Sequence, residues 1–143
     1  MSEEIQGDFL SYLNQTKENE YKALYDFFLD TLMFSIKVHC YHLKCGKGFY
    51  HTQFNEIYDE LRDFGDSLAE ICLSYTPMTF DDRQYQLHDD GFDIASAIAK
   101  IEEYKQSADA ISKNYSQNRA ITNLFDDMIQ KLTGHIGLIK NFS

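Results

Sequence analysis

The sequence is short of the residues that interrupt helices. It has one proline and seven glycines in 143 residues, whereas 43% of its residues are hydrophobic and 15% are aromatic. A chain so poor in breakers and so rich in core-forming side chains favours long helices over a many-turned β protein. Its length suits one domain with a single core. We therefore expect an all-α fold in which residues 1–143 form one domain.

Basic residues are also scarce. Thirteen Lys and Arg against 23 Asp and Glu give a formal net charge of -10. Nucleic-acid phosphates are repelled by such a balance unless a local basic patch exists, and the sequence suggests none. The N-terminal residues include Glu3, Glu4 and Asp8, and residues 138–143 carry a single lysine. We therefore expect no DNA binding.

The sequence lacks the marks of secreted and membrane proteins. Its three cysteines, Cys40, Cys45 and Cys72, are odd in number and have no C-x-x-C spacing, which argues against a disulfide framework and for a reducing compartment. The first five residues show no basic region followed by an apolar run, so we expect no signal peptide. No apolar segment is long enough to span a bilayer. We therefore expect a cytoplasmic protein without membrane contact.

Apolar residues instead recur at the three–four spacing of a helix-bundle seam. After a short opening helix at residues 5–13, this spacing predicts helices at residues 17–44, 50–75, 92–113 and 119–139. Gly46 and Gly48 end the first long helix, and Pro77 closes the second. Residues 76–90 form a polar link that is longer than a tight turn needs. The pattern therefore predicts a four-helix bundle with a long crossover between the second and third long helices.

Two histidines and two carboxylates carry most of the chemical information in the sequence: His42, His51, Asp66 and Glu70. Imidazole and carboxylate groups together suit iron, zinc or manganese. An α-helix turns by about 100° per residue. On the second helix, one sector roughly 100° wide faces away from the apolar seam. This sector holds His51, Asn55, Asp59, Arg62, Asp66 and Glu70. Side chains in this sector meet either water or another subunit. The simpler alternative is an ordinary solvated acidic face, with His42 a satisfied histidine at the end of the seam.

The run from His39 to Glu70 resembles the Dps branch of the ferritin superfamily, the mini-ferritins. In that family the first long helix ends in a His, a Gly-containing loop follows, and a second His opens the next helix, which carries Asp-x-x-Ala-Glu. Here that last element reads Asp66-Ser-Leu-Ala-Glu70, and its distance from His51 also agrees. The Tyr-Asp-Glu-Leu-Arg-Asp run at residues 58–63 is similarly typical of the family. The Glu-x-x-His pairs of larger ferritins and di-iron oxygenases are absent from the sequence.

The resemblance implies a ferritin-like four-helix bundle that binds iron between two subunits. His42 and His51 would be metal ligands from one chain, and Asp66 and Glu70 would be ligands from its twofold partner. No catalytic residue separate from these ligands is implied. The implied function is ferroxidase activity, the oxidation of ferrous iron by peroxide or oxygen, with sequestration of the product. Zinc and manganese are the alternative metals. The implied partner is a second copy in a twofold dimer, and assembly as in the family would give a homo-oligomer of twelve subunits.

The sequence departs from the family pattern at several positions. Asn55 stands where the family usually has an Asp, Leu43 replaces a Trp, and the loop between the two histidines is shorter. His39 lies on nearly the same helical face as His42 and competes with it for the ligand assignment. These departures leave open a non-catalytic ferritin-like structural or assembly protein with a degenerate metal site, such as a virion component if the protein is phage-encoded. An all-helical adaptor for partner helices is a third alternative, and it leaves the histidines unexplained.

Overall fold

The computed structural model describes residues 3–77, 84–88 and 91–142. These residues form four α-helices and no strand: α1 (Glu3–Lys44), α2 (Phe49–Tyr75), α3 (Ile94–Lys113) and α4 (Arg119–Asn141). The predicted all-α class and the four long helices are therefore confirmed. None of the described helices combines the length and the apolar character needed to cross a membrane.

The predicted break between a short opening helix and the first long helix is wrong. α1 continues from Glu3 to Lys44 and so includes Asn14, Gln15 and Thr16, where the sequence pattern predicts the break. None of the three is a proline or a glycine. Asn, Gln and Thr lower helix propensity by less than about 1 kcal/mol each and keep their backbone donors, so they do not end a helix by themselves.

The four helices pack in a ring. α1 contacts α2, α2 contacts α4, α4 contacts α3, and α3 contacts α1. Within residues 3–77, 84–88 and 91–142, α2 and α3 do not contact each other, so they occupy diagonal corners of the bundle. The predicted crossover at residues 76–90 lies mostly outside the described residues, which include only 76–77 and 84–88 of it.

The core fills the centre of this ring and follows the predicted seam closely. Side chains with no solvent exposure come from all four helices and include Leu24, Phe54, Leu61, Ile101 and Leu132. The seam of α4 is buried throughout. Tyr75 is an exception, since it is 40% exposed and its ring stacks on Tyr21 at 5.0 Å instead of entering the core.

One buried polar pair links α1 to α3 inside the apolar core. The hydroxyl oxygens of Thr31 and Tyr104 lie 2.7 Å apart and share a hydrogen bond. The Tyr104 ring stacks on Phe27 at 5.3 Å and on Phe34 at 5.0 Å. Burial raises the pKa of Tyr104, because a phenolate would lose its hydration there. The hydroxyl is therefore uncharged and depends on Thr31 for its partner.

A double-mutant cycle tests this pair. Thr31→Val leaves the Tyr104 hydroxyl buried without a partner, and we expect it to lower the free energy of unfolding by about 1–3 kcal/mol. Tyr104→Phe should cost less, because a helical threonine can turn its hydroxyl to a backbone carbonyl of its own helix. The double variant should lose less than the sum of the two, as measured by urea denaturation. Strictly additive losses would show that the two hydroxyls do not interact.

Gly65 lies where α1 and α2 approach each other. Its substitution by alanine tests how closely the two helices pack. A Cβ at this position would lie 3.6 Å from Cγ2 of Thr31 and 3.7 Å from Cδ2 of Phe28, which are ordinary contact distances. We expect Gly65→Ala to raise the free energy of unfolding by about 0.5–1 kcal/mol, because Gly is unfavourable inside a helix. Gly46→Ala is the matched contrast, since Gly46 has a φ of 72° and should lose about 1 kcal/mol. A loss at both positions in thermal denaturation would contradict the packing at Gly65.

Candidate metal centre

A turn of four residues, 45–48, joins α1 to α2. Gly46 and Gly48 have φ angles of 72° and 95°, a left-handed region that glycine enters without steric cost. Backbone hydrogen bonds close the turn, including that from the Cys45 N–H to the Tyr41 carbonyl at 3.1 Å. Because the chain reverses so tightly, the last turn of α1 lies against the first turn of α2. This arrangement brings His42 beside His51.

The two histidines hydrogen-bond each other's backbone. Nδ1 of His42 donates to the His51 carbonyl oxygen at 2.8 Å, and Nδ1 of His51 donates to the His42 carbonyl oxygen at 2.9 Å. Their ring centroids are 3.7 Å apart, with planes inclined at 35°. A carbonyl oxygen can only accept, so both Nδ1 atoms must carry the proton. In the neutral rings, each Nε2 atom therefore has a free lone pair.

This arrangement fits a metal ion. A histidine that binds a metal usually donates its other ring N–H to a carboxylate or a backbone carbonyl, which fixes the tautomer and the ring orientation. Both His42 and His51 meet this requirement, and within the described residues neither Nε2 makes a hydrogen bond. Two neighbouring nitrogen donors suit ferrous iron or zinc. The donors come from adjacent helix ends, so their relative position is set by the turn.

His39 is close to the pair but is held differently. Its ring lies 5.5 Å from that of His42 and 4.5 Å from that of Tyr58. Its Nδ1 atom is buried and has no hydrogen-bond partner. No backbone carbonyl fixes its tautomer as in His42. The geometry therefore favours His42 over His39 as the companion of His51.

Asp66 and Glu70 do not join the histidines within one chain. They follow His51 in α2 by 15 and 19 residues, which places them about 22 and 28 Å farther along the helix axis at 1.5 Å per residue. Both are exposed. No group of three or more His, Cys, Asp or Glu side chains in the described parts of the chain is arranged to hold a metal ion. The four predicted ligands therefore form two separate groups in a single copy.

The face of α2 that carries these carboxylates lies outside the core, as its periodicity predicts. Asp59, Arg62, Asp66 and Glu70 are all exposed, and Asn55, one turn after His51, is half-buried. The guanidinium of Arg62 lies 5.5 Å from the centre of the Tyr58 ring, a cation–π distance. Most of this face is thus free to meet solvent or a second protein surface.

A second polar cluster links α2 to α4, and no motif in the sequence singles it out. Nδ1 of His135 donates to Oε1 of the buried Gln53 at 2.8 Å. Carboxylate oxygens of Glu56 and Glu60 lie 3.5 and 3.7 Å from the His135 ring nitrogens, and Lys131 lies 3.6 Å from Glu60. Both ring nitrogens therefore face partners. The cluster joins α2 to α4 through the His135–Gln53 hydrogen bond and the Lys131–Glu60 ion pair, and its sequence signal is polar residues at helical spacing in the two helices.

Comparisons with protein-family models, with curated proteins and with solved structures find no match to this chain. The resemblance carried by residues 39–70 therefore stays a prediction.

Proposed function

We propose that the protein binds ferrous iron between paired copies of itself and promotes the oxidation and sequestration of that iron. The observation that carries this proposal is the reciprocal hydrogen bonding of His42 and His51. It presents two neighbouring Nε2 lone pairs in a fixed tautomer, which is the state in which imidazole binds a metal.

A second copy would complete the ligand set. Two nitrogens leave most coordination positions of iron open, and Asp66 and Glu70 of the same chain lie more than about 20 Å away along α2. In a twofold dimer the same surface is used by both copies, so the start of one α2 can face the far half of the other. Asp66 and Glu70 of the second copy would then supply oxygen donors to His42 and His51 of the first. Each dimer would hold two such sites.

The surface beside α2 supports self-association. An apolar stripe on the outer side of α1, here called the outer α1 stripe, falls within about 100° of the helix circumference and consists of Leu29, Leu32, Met33, Ile36 and Leu43. Ile36 is 44% exposed and Leu43 is 60% exposed. The stripe borders α2, since Cδ2 of Leu32 lies 3.8 Å from where a Cβ of Gly65 would stand. Exposed apolar surface of this kind is typical of protein interfaces.

The packing order of the helices also supports the proposal. A tight turn joins α1 to α2, and α2 and α3 stand at diagonal corners. In a bundle of the ferritin type, one long crossover connects the two helix pairs. The diagonal placement is compatible with such a crossover. Fold likeness alone does not establish activity, so the histidine geometry carries more weight.

The protein groups have distinct parts in the proposed reaction. The imidazoles bind the ferrous ion, and the carboxylates, being negatively charged oxygen donors, bind the ferric product more strongly. Two ferrous ions give up one electron each to a peroxide molecule, which takes two protons and becomes two molecules of water. The exposed acidic face of α2, which includes Asp59, Asp63 and Asp66, would attract the cations.

A second candidate is a ferritin-like assembly protein that has lost its metal chemistry. Two observations favour it: no complete ligand group exists within the described residues of one copy, and Asn55 is a neutral residue on the face that carries the proposed ligands. It predicts the same dimer surface without bound iron, so metal analysis together with the mass in solution separates the two functions.

Subunit complementation tests the shared site directly. His51→Ala and Glu70→Ala should each abolish stoichiometric iron binding, because each removes a ligand from every site. When the two variants are unfolded together and refolded, a mixed dimer should regain one intact site, made of histidines from one copy and carboxylates from the other. With random pairing, about a quarter of the wild-type sites should return. Iron binding is measured by anaerobic titration with ferrous ion.

The control for this experiment is Glu103→Ala, which removes an exposed carboxylate from α3, away from the acidic face of α2 and the proposed ligands. It should bind iron like the unchanged protein. Iron binding without recovery in the mixture would place all ligands in one chain. A metal-free oligomer would support the assembly protein, and a metal-free monomer would support a helical adaptor.

The tautomers provide an independent test that does not need iron. In ¹⁵N NMR spectra, we expect His42 and His51 to carry the proton on Nδ1, because both Nδ1 atoms donate to carbonyl oxygens. Added zinc, as a diamagnetic substitute, should shift their Nε2 resonances and leave those of the exposed His88 unchanged. Protons on Nε2 in the metal-free protein would contradict the geometry on which the site rests.

A further inference from the structure

A cavity of about 300 Å³ lies on a different side of α1 from the histidine pair. α1 contributes Lys37, Cys40, Tyr41 and Lys44, whose three–four spacing places them on one helical face. The start of α3 and residues 87–88 and 91–93 provide the other walls. This volume is at the lower end of the range for small-molecule sites, about 300–1,000 Å³. The cavity is separate from the proposed metal centre and does not depend on it.

Part of the cavity wall is apolar and aromatic. The rings of Tyr41 and Phe92 lie 5.5 Å apart, centre to centre. The buried Ala97 and the exposed Leu87 also line the cavity. Such a wall can pack against the carbon skeleton of a small ligand. It offers little to a bare inorganic ion.

Three lysines also line the cavity, in a protein whose net charge is -10. Lys37, Lys44 and Lys100 all line the cavity, although the whole chain has only 13 basic residues. In the part of the chain that the structure describes, neither Lys37 nor Lys100 forms an ion pair, while Lys105, Lys113, Lys131 and Lys140 do. Two lysines that form no ion pair with a described carboxylate thus line one cavity.

The carboxylate in the lining, Asp93, is already engaged. It is the N-cap of α3, where its side chain accepts the Ser96 N–H at 2.9 Å and the Ser96 hydroxyl at 2.7 Å. These hydrogen bonds hold the pKa of Asp93 below its usual value, so it stays charged and bound to the helix terminus. Asp93 therefore starts α3 and, among the described residues, forms no ion pair with Lys37 or Lys100.

We propose that this cavity binds a small organic anion, whose carboxylate, sulfonate or phosphate group meets Lys37 and Lys100 and whose apolar body packs against Tyr41 and Phe92. The anionic group gives the two lysines a charged partner that no described residue provides. The aromatic wall selects for a carbon skeleton, so inorganic phosphate alone should bind poorly. The N-terminus of α3, at the same cavity, adds a favourable electrostatic contribution for a negative charge.

The proposal is tested with two probes that differ in one charged group. 8-Anilinonaphthalene-1-sulfonate has an aromatic body with a sulfonate, and N-phenyl-1-naphthylamine has the same body without it. Fluorescence titration should show saturable binding of one sulfonate probe per chain, and the neutral probe should bind about tenfold more weakly, because it makes no ionic contact. Inorganic phosphate should not displace the sulfonate at moderate concentration.

Paired lysine variants show which charges matter. Lys37→Met/Lys100→Met keeps two long side chains but removes both charges, and it should weaken sulfonate binding about tenfold while leaving the neutral probe unaffected. Lys22→Met/Lys113→Met removes the same total charge outside the cavity lining and should change neither. Circular dichroism checks that both variants fold. Equal sulfonate affinity in the two variants would overturn the proposal.

Amide NMR spectra locate the bound probe. Saturating sulfonate should shift the amide signals of Gly91 and Ala97 and leave those of His42 and His51 unchanged. Shifts confined to the outer α1 stripe would mean that the probe binds only to exposed apolar surface, and this would also overturn the proposal. Since neither probe is a metal, the outcome is independent of whether the protein binds iron.

Discussion

The two hydrogen bonds between His42 and His51 are the interaction on which the proposed chemistry depends. The carbonyl of His42 is among the last four of α1, which have no partner inside their helix, and the His51 side chain supplies one. The same contact therefore satisfies a helix end and fixes an imidazole tautomer. The glycine conformations at residues 46 and 48 make this contact possible, because a longer turn would separate the helix ends.

The different sides of α1 face the core, the outside of the bundle and the cavity. One side enters the core through Leu24 and Val38, one presents the outer α1 stripe, and a third carries Lys37 and Lys44 along the cavity. The acidic face of α2 and the basic cavity are thus separated by the bundle itself. A net charge of -10 does not show this division, because it sums the acidic residues of α2 and the lysines that line the cavity.

Much of the fold can be predicted from the sequence, because the apolar spacing is regular and glycine or proline marks the helix ends at residues 46–48 and 77. The predicted helix break at Asn14, Gln15 and Thr16 is wrong, because residues of low helix propensity do not end a helix by themselves. The proposed ligand residues can be named from the resemblance of residues 39–70 to the mini-ferritins. The tautomers of His42 and His51, however, depend on the positions of two backbone carbonyls. The cavity could not be predicted, because Lys37 and Lys100 are 63 residues apart in the chain and meet only when α1 packs on α3.

The short turn at residues 45–48 also has a consequence for the order of assembly. His42 and His51 are nine residues apart, and contacts between residues so near in sequence form faster than distant ones because little chain entropy is lost in closing the loop. The nitrogen pair belongs to the α1–α2 hairpin and needs neither α3 nor α4. The two proposed nitrogen ligands are therefore in place once the hairpin has formed. The two proposed oxygen ligands reach them only when two folded chains associate.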